Sequence, residues 1–327
     1  MMLRSGLCGL ALVVSVAYAS ETTTAQTGQQ LNPFEAANVL RRINTAARNL
    51  NYSGVYLYQQ ADHLESLRLV HYADGNGEQE KRESLDGPPR EFIRNNDQIV
   101  CYRPDTKPIA LDRRTANKFF PGIIPDQIAD VVANYNLRQL ENERVAGYET
   151  QVLILEPRDK LRHPHKLWIE PSSGLLLKTS MLNSQKAGIV EQFTFTQLQI
   201  GGSIDKRALR PSIGGRASLA ELAQPKADQA PDSNWEVRNV PTGFRLIKEV
   251  RRQLPGKSQP VVQYVYSDGL ATVSVFIEPL AAGATSGQAK QGSLNVYARQ
   301  SSGYQITALG EVPEQTVQMF THAFILR

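Results

Sequence analysis

From Asn51 to Asp105 apolar side chains recur at intervals of two, in short runs broken by Gln-Ala-Asp, Asp-Gly-Asn-Gly, Asp-Gly-Pro-Pro and Asn-Asn-Asp. Period-two alternation punctuated by turn-forming clusters predicts four or five antiparallel strands in a meander. In the first run Val55 and Leu57 share one face and Tyr56 and Tyr58 the other, so both faces need cover. Just upstream the period changes to that of a helix. Asn32 before Pro33, with Glu35 three residues on, predicts an N-cap, an N1 proline and a capping-box acid. The helix runs to about Asn49, with Phe34, Ala37, Leu40, Ile43 or Asn44, and Ala47 as its apolar stripe.

Beyond Asp105 the chain reaches Phe119-Phe-Pro-Gly-Ile-Ile-Pro, which cannot form a regular helix because of its prolines. Such a loop either plugs a core or lips a cavity, and Phe119, Phe120, Ile123 and Ile124 are its candidate lip residues. A short helix, Gln127–Tyr135, precedes five more strands: Leu137–Val145, Tyr148–Glu156, His165–Glu170, Leu175–Leu182 and Ile189–Ile200. Val152-Leu-Ile-Leu and Leu175-Leu-Leu are apolar on both faces, the mark of strands covered on each side. About ten strands make a sheet too long to stay flat. Curled, it encloses an apolar interior that is either filled by side chains or open to a ligand.

Residues 201–234 have linker composition, rich in Gly, Pro and Ala. A smaller unit follows over 235–327, with strands at Trp235–Val240, Phe244–Gln253, Pro260–Tyr266, Leu270–Ile277, Gly292–Arg299 and Tyr304–Leu309. Ala281–Gln291 reads as a mobile loop, and Val317, Phe320, Ala323 and Phe324 as the buried stripe of a last helix, Glu314–Phe324. The predicted class is α+β: a large curled antiparallel sheet, a half-barrel with helices covering a cavity, linked to a smaller antiparallel sheet with a C-terminal helix.

The chain of 327 residues is 41% hydrophobic and 21% charged, which excludes disorder, and its formal charge of +4 is too small to argue for nucleic acid. Residues 1–19 read as a cleaved signal peptide, with Arg4, an apolar run from Leu7 to Ala17 and an Ala-x-Ala site ending at Ala19, so export is expected. Residues 20–31 read as a flexible arm. Removal of Cys8 leaves Cys101 alone in a strand, which excludes an internal disulfide. From Trp235 onward there are nine basic and six acidic residues, and Arg245, Lys248, Arg251, Arg252 and Lys257 cluster. That cluster favours an acidic protein partner.

His163-x-His165 could aim two ligands together, but no third ligand is placed to complete a metal site. Glu78, Glu80 and Glu83, interleaved with Lys81 and Arg82, read as a solvated hairpin. No nucleophile elbow, zincin helix or P-loop is present, and no catalytic residue, metal or cofactor is expected.

Asn51-Tyr-Ser-Gly-Val-Tyr-Leu-Tyr, Leu85-Asp-Gly-Pro-Pro-Arg-Glu-Phe-Ile-Arg, Ile99-Val-Cys-Tyr-Arg-Pro-Asp, Trp235-Glu-Val-Arg-Asn-Val-Pro-Thr-Gly-Phe and Gln263-Tyr-Val-Tyr-Ser-Asp-Gly-Leu together resemble the MucB/RseB family of envelope-stress regulators. The resemblance spans the mature chain. It implies a domain over residues 32–200 similar to the lipoprotein carriers LolA and LolB, and a small domain that binds the periplasmic part of a single-pass anti-sigma factor. It further implies shielding of that factor from site-1 proteolysis, with release by lipid or lipopolysaccharide. A periplasmic lipid or lipoprotein carrier is the rival reading, disfavoured by the second domain. Oligomeric state is not legible in the sequence, and a homo-oligomer stays open.

Overall fold

The computed structural model describes residues 28–104, 106–111, 120–213, 235–252 and 259–327. The predicted signal peptide, Phe119, Lys257 and residues 214–234 lie outside the described residues.

Helix α1 (Pro33–Asn49) begins as predicted. Asn32 Oδ1 accepts from the Phe34 and Glu35 N–H groups at 3.0 Å, and Glu35 returns a carboxylate to the Asn32 N–H at 2.8 Å. The buried stripe is Ala36, Leu40, Ile43, Ala46 and Ala47. Phe34, predicted at the head of the stripe, is 73% exposed. Counting back from Leu40 by four selects Ala36, and Phe34 falls on the opposite side of the first turn.

Strands β2 to β7 (Tyr52–Gln60, His63–Asp74, Gly77–Ser84, Glu91–Asn95, Gln98–Tyr102 and Ile109–Leu111) form the meander. Helix α2 (Ile128–Asn134) leads into a second meander, β8 to β12 (Tyr135–Val145, Tyr148–Pro157, His165–Ile169, Leu176–Leu182 and Ile189–Ile200). Nine register pairs between β12 and β2 join the two meanders. With β1 (Gln29–Gln30) they make a twelve-stranded antiparallel sheet in the order β1-β8-β9-β10-β11-β12-β2-β3-β4-β5-β6-β7.

The sheet is curled and unclosed. Tyr148 on β9 donates its hydroxyl to Leu198 O on β12 at 3.2 Å. In a flat sheet these strands would stand three spacings apart, roughly 14 Å, beyond the reach of one tyrosine. The concave face packs on α1: Leu40, Ile43, Tyr52, Leu69, Leu137 and Leu153 belong to one continuous core.

The hairpin at Glu78–Arg82 is not solvated as predicted, because Glu80, Lys81 and Arg82 are all buried. Glu80 and Arg82 share the inner face with His71, and Lys81 lies on the outer face. That outer face is covered by the chain after β12. Past a 3₁₀ turn at Lys206–Leu209, Arg210 O accepts from Lys81, Ser212 N–H donates to Glu91 at 2.8 Å, and Ile213 packs on Val100 and Tyr102. Lys81 and Glu91 are 2.7 Å apart. A charged strand thus has both of its faces roofed, and pairing meets the cost of burying its charges.

The small domain holds a six-stranded sheet in the order β14-β15-β16-β19-β18-β17, with strands Arg245–Arg252, Val261–Ser267, Thr272–Pro279, Tyr304–Gly310, Leu294–Ser301 and Gly287–Gln291 respectively. Helix α3 (Glu314–His322) covers one face, with Val317, Phe320, Ala323 and Phe324 buried as predicted. The helix stops at His322, and Phe324 opens β20 (Phe324–Leu326), which pairs with β13 (Trp235–Val237). Part of the predicted mobile loop is β17, a strand whose five residues are all exposed. Without a buried face it has no alternation to betray it.

Candidate functional site

Two regions concentrate chemistry: the inside of the curled sheet and the seam between the domains.

Inside the sheet, Phe120 is fully buried against Phe195, Tyr56 and Phe193, with ring centroids 5.0, 5.4 and 5.5 Å away. Ile124 is buried beside it and Ile123 half-buried. Asn44 of α1 holds the loop by donating to Ile124 O at 2.7 Å. Of the predicted cavity residues, three therefore lie together, with Phe120 and Ile124 filling the aromatic end of the interior.

Further along the same face lies an ionic cluster. Arg82 Nε is 2.6 Å from Glu80 Oε1, Glu78 pairs with Arg94, and His71 is 3.3 Å from Glu78 and stacks on Tyr52 at 4.5 Å. Burial raises the Glu80 carboxyl, but Arg82 and Arg94 outweigh it and hold Glu80 below its ordinary range. The interior is thus apolar and aromatic at one end and charged at the other.

The seam is built around Arg162, in the loop between β9 and β10. Its guanidinium lies 2.7 Å from Asp268 Oδ2, pairs with Asp159 at 2.7 Å and donates to Thr242 O at 2.7 Å. The Phe244 and Tyr135 rings flank it at 4.9 and 5.9 Å. Asp268, in the β15–β16 turn, also accepts from Tyr135 at 3.0 Å and caps its own turn through the Leu270 and Ala271 N–H groups. Burial pushes the Asp268 carboxyl up, against the pull of Arg162. Asn134 donates to Gly243 O and Asp268 O, while Gln315 and Thr316 at the start of α3 donate to Lys160 O and Leu161 O.

Gly243 has φ +82°, and a Cβ there would fall 2.1 Å from Asn134 Oδ1. Glycine is required at this crossing on both grounds. The Ser267-Asp268-Gly269 segment does not announce its reach across the seam. Nothing in the spacing of Arg162, Tyr135 and Asp268, more than a hundred residues apart at the extremes, announces their meeting.

His163 and His165 sit beside the seam. Desolvation, then Lys290, brings His163 down to about 4, with Glu311 opposing. Desolvation, then His163, brings His165 down to about 4. Among the described residues no group of three or more His, Cys, Asp or Glu is placed to hold a metal. A cleft of about 310 Å³ opens nearby, lined by Leu31, Pro33, Ala36, Val132, Tyr135 and Arg158 among others. Among the described residues, none of Phe120, Ile123 and Ile124 lines it.

Four residues of the predicted basic cluster, Arg245, Lys248, Arg251 and Arg252, lie on β14 at one end of the small sheet's strand order, and Lys257 lies outside the described residues. Arg245 and Arg251 are exposed, Lys248 and Arg252 half-buried. Arg245 reaches across the seam to Asp130 on α2.

A curled β shell bolted to a small β domain defines a two-domain binding protein. The MucB/RseB N-terminal domain family matches residues 35–213 and the MucB/RseB C-terminal domain family matches residues 229–324. The chain belongs to the MucB/RseB family. It is 30% identical to the "Sigma factor AlgU regulatory protein MucB" of Pseudomonas aeruginosa, over 87% of this chain and 89% of that protein. It is 24% identical to the "Sigma-E factor regulatory protein RseB" of Escherichia coli K12, over 86% of this chain and 87% of that one. The structure described as the complex of Pseudomonas aeruginosa MucA/MucB matches with a TM-score of 0.71 at 26% identity, over 89% of this chain and 99% of that one. No helix among the described residues is long and apolar enough to cross a membrane.

Proposed function

We propose that this chain is a periplasmic negative regulator of an envelope-stress sigma factor. It binds the periplasmic part of a single-pass anti-sigma factor of the MucA/RseA type, shields that segment from site-1 proteolysis, and releases it when lipid or lipopolysaccharide occupies the large domain. The observation that carries this reading is the two-domain match, in order, to MucB as found with MucA.

The geometry supports a division of labour. An acyl chain entering the curled sheet must displace Phe120 and Ile124, which fill the aromatic end now, while Arg82 and Arg94 stand at the charged end of the same face. Phe120 lies eight residues before α2, and α2 carries Asn134 and Asp130 into the seam. Movement of the plug is therefore transmitted to the small domain through one short helix. If the lipid-bound form holds the segment less tightly, linkage requires the segment to weaken lipid by the same factor.

The basic strand Arg245–Arg252, with Lys257, is the proposed partner contact. Titrating mature chain onto an immobilised periplasmic segment of a MucA-type anti-sigma factor tests the reading. Saturable binding, with protection of the segment from site-1 protease, is expected, and no binding at micromolar chain would refute it. The alternative, a lipid or lipoprotein carrier, predicts lipid transfer between vesicles without segment binding.

A further inference from the structure

We infer that the seam carries a proton-operated catch: a neutral His163 holds the domains closed, and protonation of its ring lets the small domain swing away about the Arg162–Asp268 pair. The inference goes beyond the proposed reading, since it makes the seam answer to acid whatever the shell or the small domain holds.

The domains meet a second time at the tip of the β2–β3 hairpin. Gln60, the last residue of β2, donates to Ser293 Oγ at 2.5 Å, and Ser293, in the β17–β18 turn, donates in turn to Glu311 Oε1 at 2.9 Å. Ser293 is fully buried by this contact. Gly292 beside it has φ +59°, and a Cβ there would fall 2.1 Å from Gln60 Oε1. Backbone and side chain are therefore in close approach across the seam. What β2 contributes here is an amide, not a charge.

His163 joins this contact to the Arg162 cluster, which it follows directly in the chain. It is 5% exposed, and its Nδ1 accepts from the Ser184 backbone N–H in the β11–β12 turn at 3.3 Å. A backbone N–H only donates, so Nδ1 carries a lone pair and the ring is neutral, with its proton on Nε2. Protonation at Nδ1 would set two donors against each other and place a charge on a buried ring.

The charged groups that bear on the ring come mostly from the small domain: Lys290 of β17 and Glu311 between β19 and α3. His165 lies two residues on and is coupled to the same Glu311. Arg162 is paired with Asp159 and Asp268. Lys290 repels a protonated ring. Glu311 attracts it, but Glu311 is the acceptor of Ser293, so a ring drawn there competes with the bond that closes the catch. Movement away from Lys290 and movement toward Glu311 both undo the contact.

The sign of the effect follows. The closed seam holds His163 at about 4, whereas a ring opened to water returns toward 6.5. The open form binds the proton more tightly, so closure is fully favoured above pH 6.5 and loses its advantage as pH falls toward 4, by up to roughly 300-fold in the closed-to-open ratio. Asp268, whose carboxyl burial also pushes up, stands at the pivot and is the rival sensor.

Energy transfer between dyes on Asp62→Cys and Gln288→Cys, both at exposed positions either side of the catch, tests this on the full mature chain in a Cys101→Ala background. Transfer is expected to fall reversibly, with a midpoint between pH 6.5 and 4, while far-UV circular dichroism is unchanged. His163→Asn, which keeps an acceptor for Ser184 but cannot take up the proton, is expected to hold its transfer through that window. Lys290→Gln is expected to move the midpoint to higher pH, because the repulsion that keeps the ring neutral is gone. Steady transfer down to pH 4 overturns the inference. So does loss of transfer only together with the far-UV signal, which is acid unfolding, and so does a His163→Asn chain that opens like its parent, which puts the sensor at Asp268. Neither lipid nor anti-sigma segment enters the measurement, so its failure leaves the proposed function standing.

Discussion

Arg162 and Asp268 form a buried ion pair, with Asp159 and Thr242 O as further partners of the guanidinium and Tyr135 as a further donor to the carboxylate. Removing Arg162 leaves Asp268 buried with neutral donors but without its counter-charge, a loss of about 3–5 kcal/mol in comparable settings. Arg162→Met is therefore expected to lower unfolding free energy by that amount in denaturant titration, and a loss below ~1 kcal/mol would show the pair to be dispensable. Asp268→Leu is a poorer test, because it also uncaps the turn at Leu270 and Ala271. The two seam histidines make a second prediction. Below their ordinary value of 6.5 the unfolded chain takes up protons on them, whereas the folded chain does not until about 4. Stability falls as pH drops through that window and levels off below it. For buried His163 the effect is on the order of 3 kcal/mol. His163→Asn with His165→Asn should flatten the curve between pH 6.5 and 4, and an unchanged slope would show that the seam is solvated. None of this was legible in the sequence, where Arg162 stands as one arginine among many and the histidines read only as a failed metal pair.

Among the elements, those whose signals are local were the most legible. The capping box at Asn32 and Glu35 is written in four consecutive residues and appears atom for atom. The α3 stripe likewise needs only its own periodicity. Elements set by distant neighbours were misread. Glu80 and Arg82 look solvated because charged residues usually are, and only neighbours from the adjoining strands, Tyr52, Tyr56, His71 and Arg94 among them, surround them. β17 lacks any buried face and depends on β18 for its existence. The sequence of the loop before α2 fits either a plug or a lip, and its aromatic contacts give it a filling role at Phe120. Phe120→Ala is expected to cost about 3–5 kcal/mol through the cavity it leaves, measured by thermal or chemical unfolding. The same variant is expected to bind a lipid A analogue more tightly than the parent chain, since the displacement of the ring has been done in advance. Equal or weaker lipid binding would show that the ligand does not enter beside Tyr56, Phe193 and Phe195.

At the scale of the whole molecule the two domains meet through buried side chains, not through a linker alone. Long blocks of sequence in each half were enough to recognise the family and its division into two domains. The seam was not recognisable, because it is assembled from α2, the β9–β10 loop, the β15–β16 turn and the start of α3, which come together only in three dimensions. Its position gives the proposed switch a mechanical basis: the interior of the large sheet, α2, Asp130 and β14 form one contiguous path. The measurement that reaches the centre of this account is the dissociation constant of the periplasmic anti-sigma segment from the mature chain, by calorimetry, with and without saturating lipid A analogue. Lipid is expected to weaken the segment by roughly 5- to 150-fold in the parent chain, and the same affinity in both titrations would contradict the account.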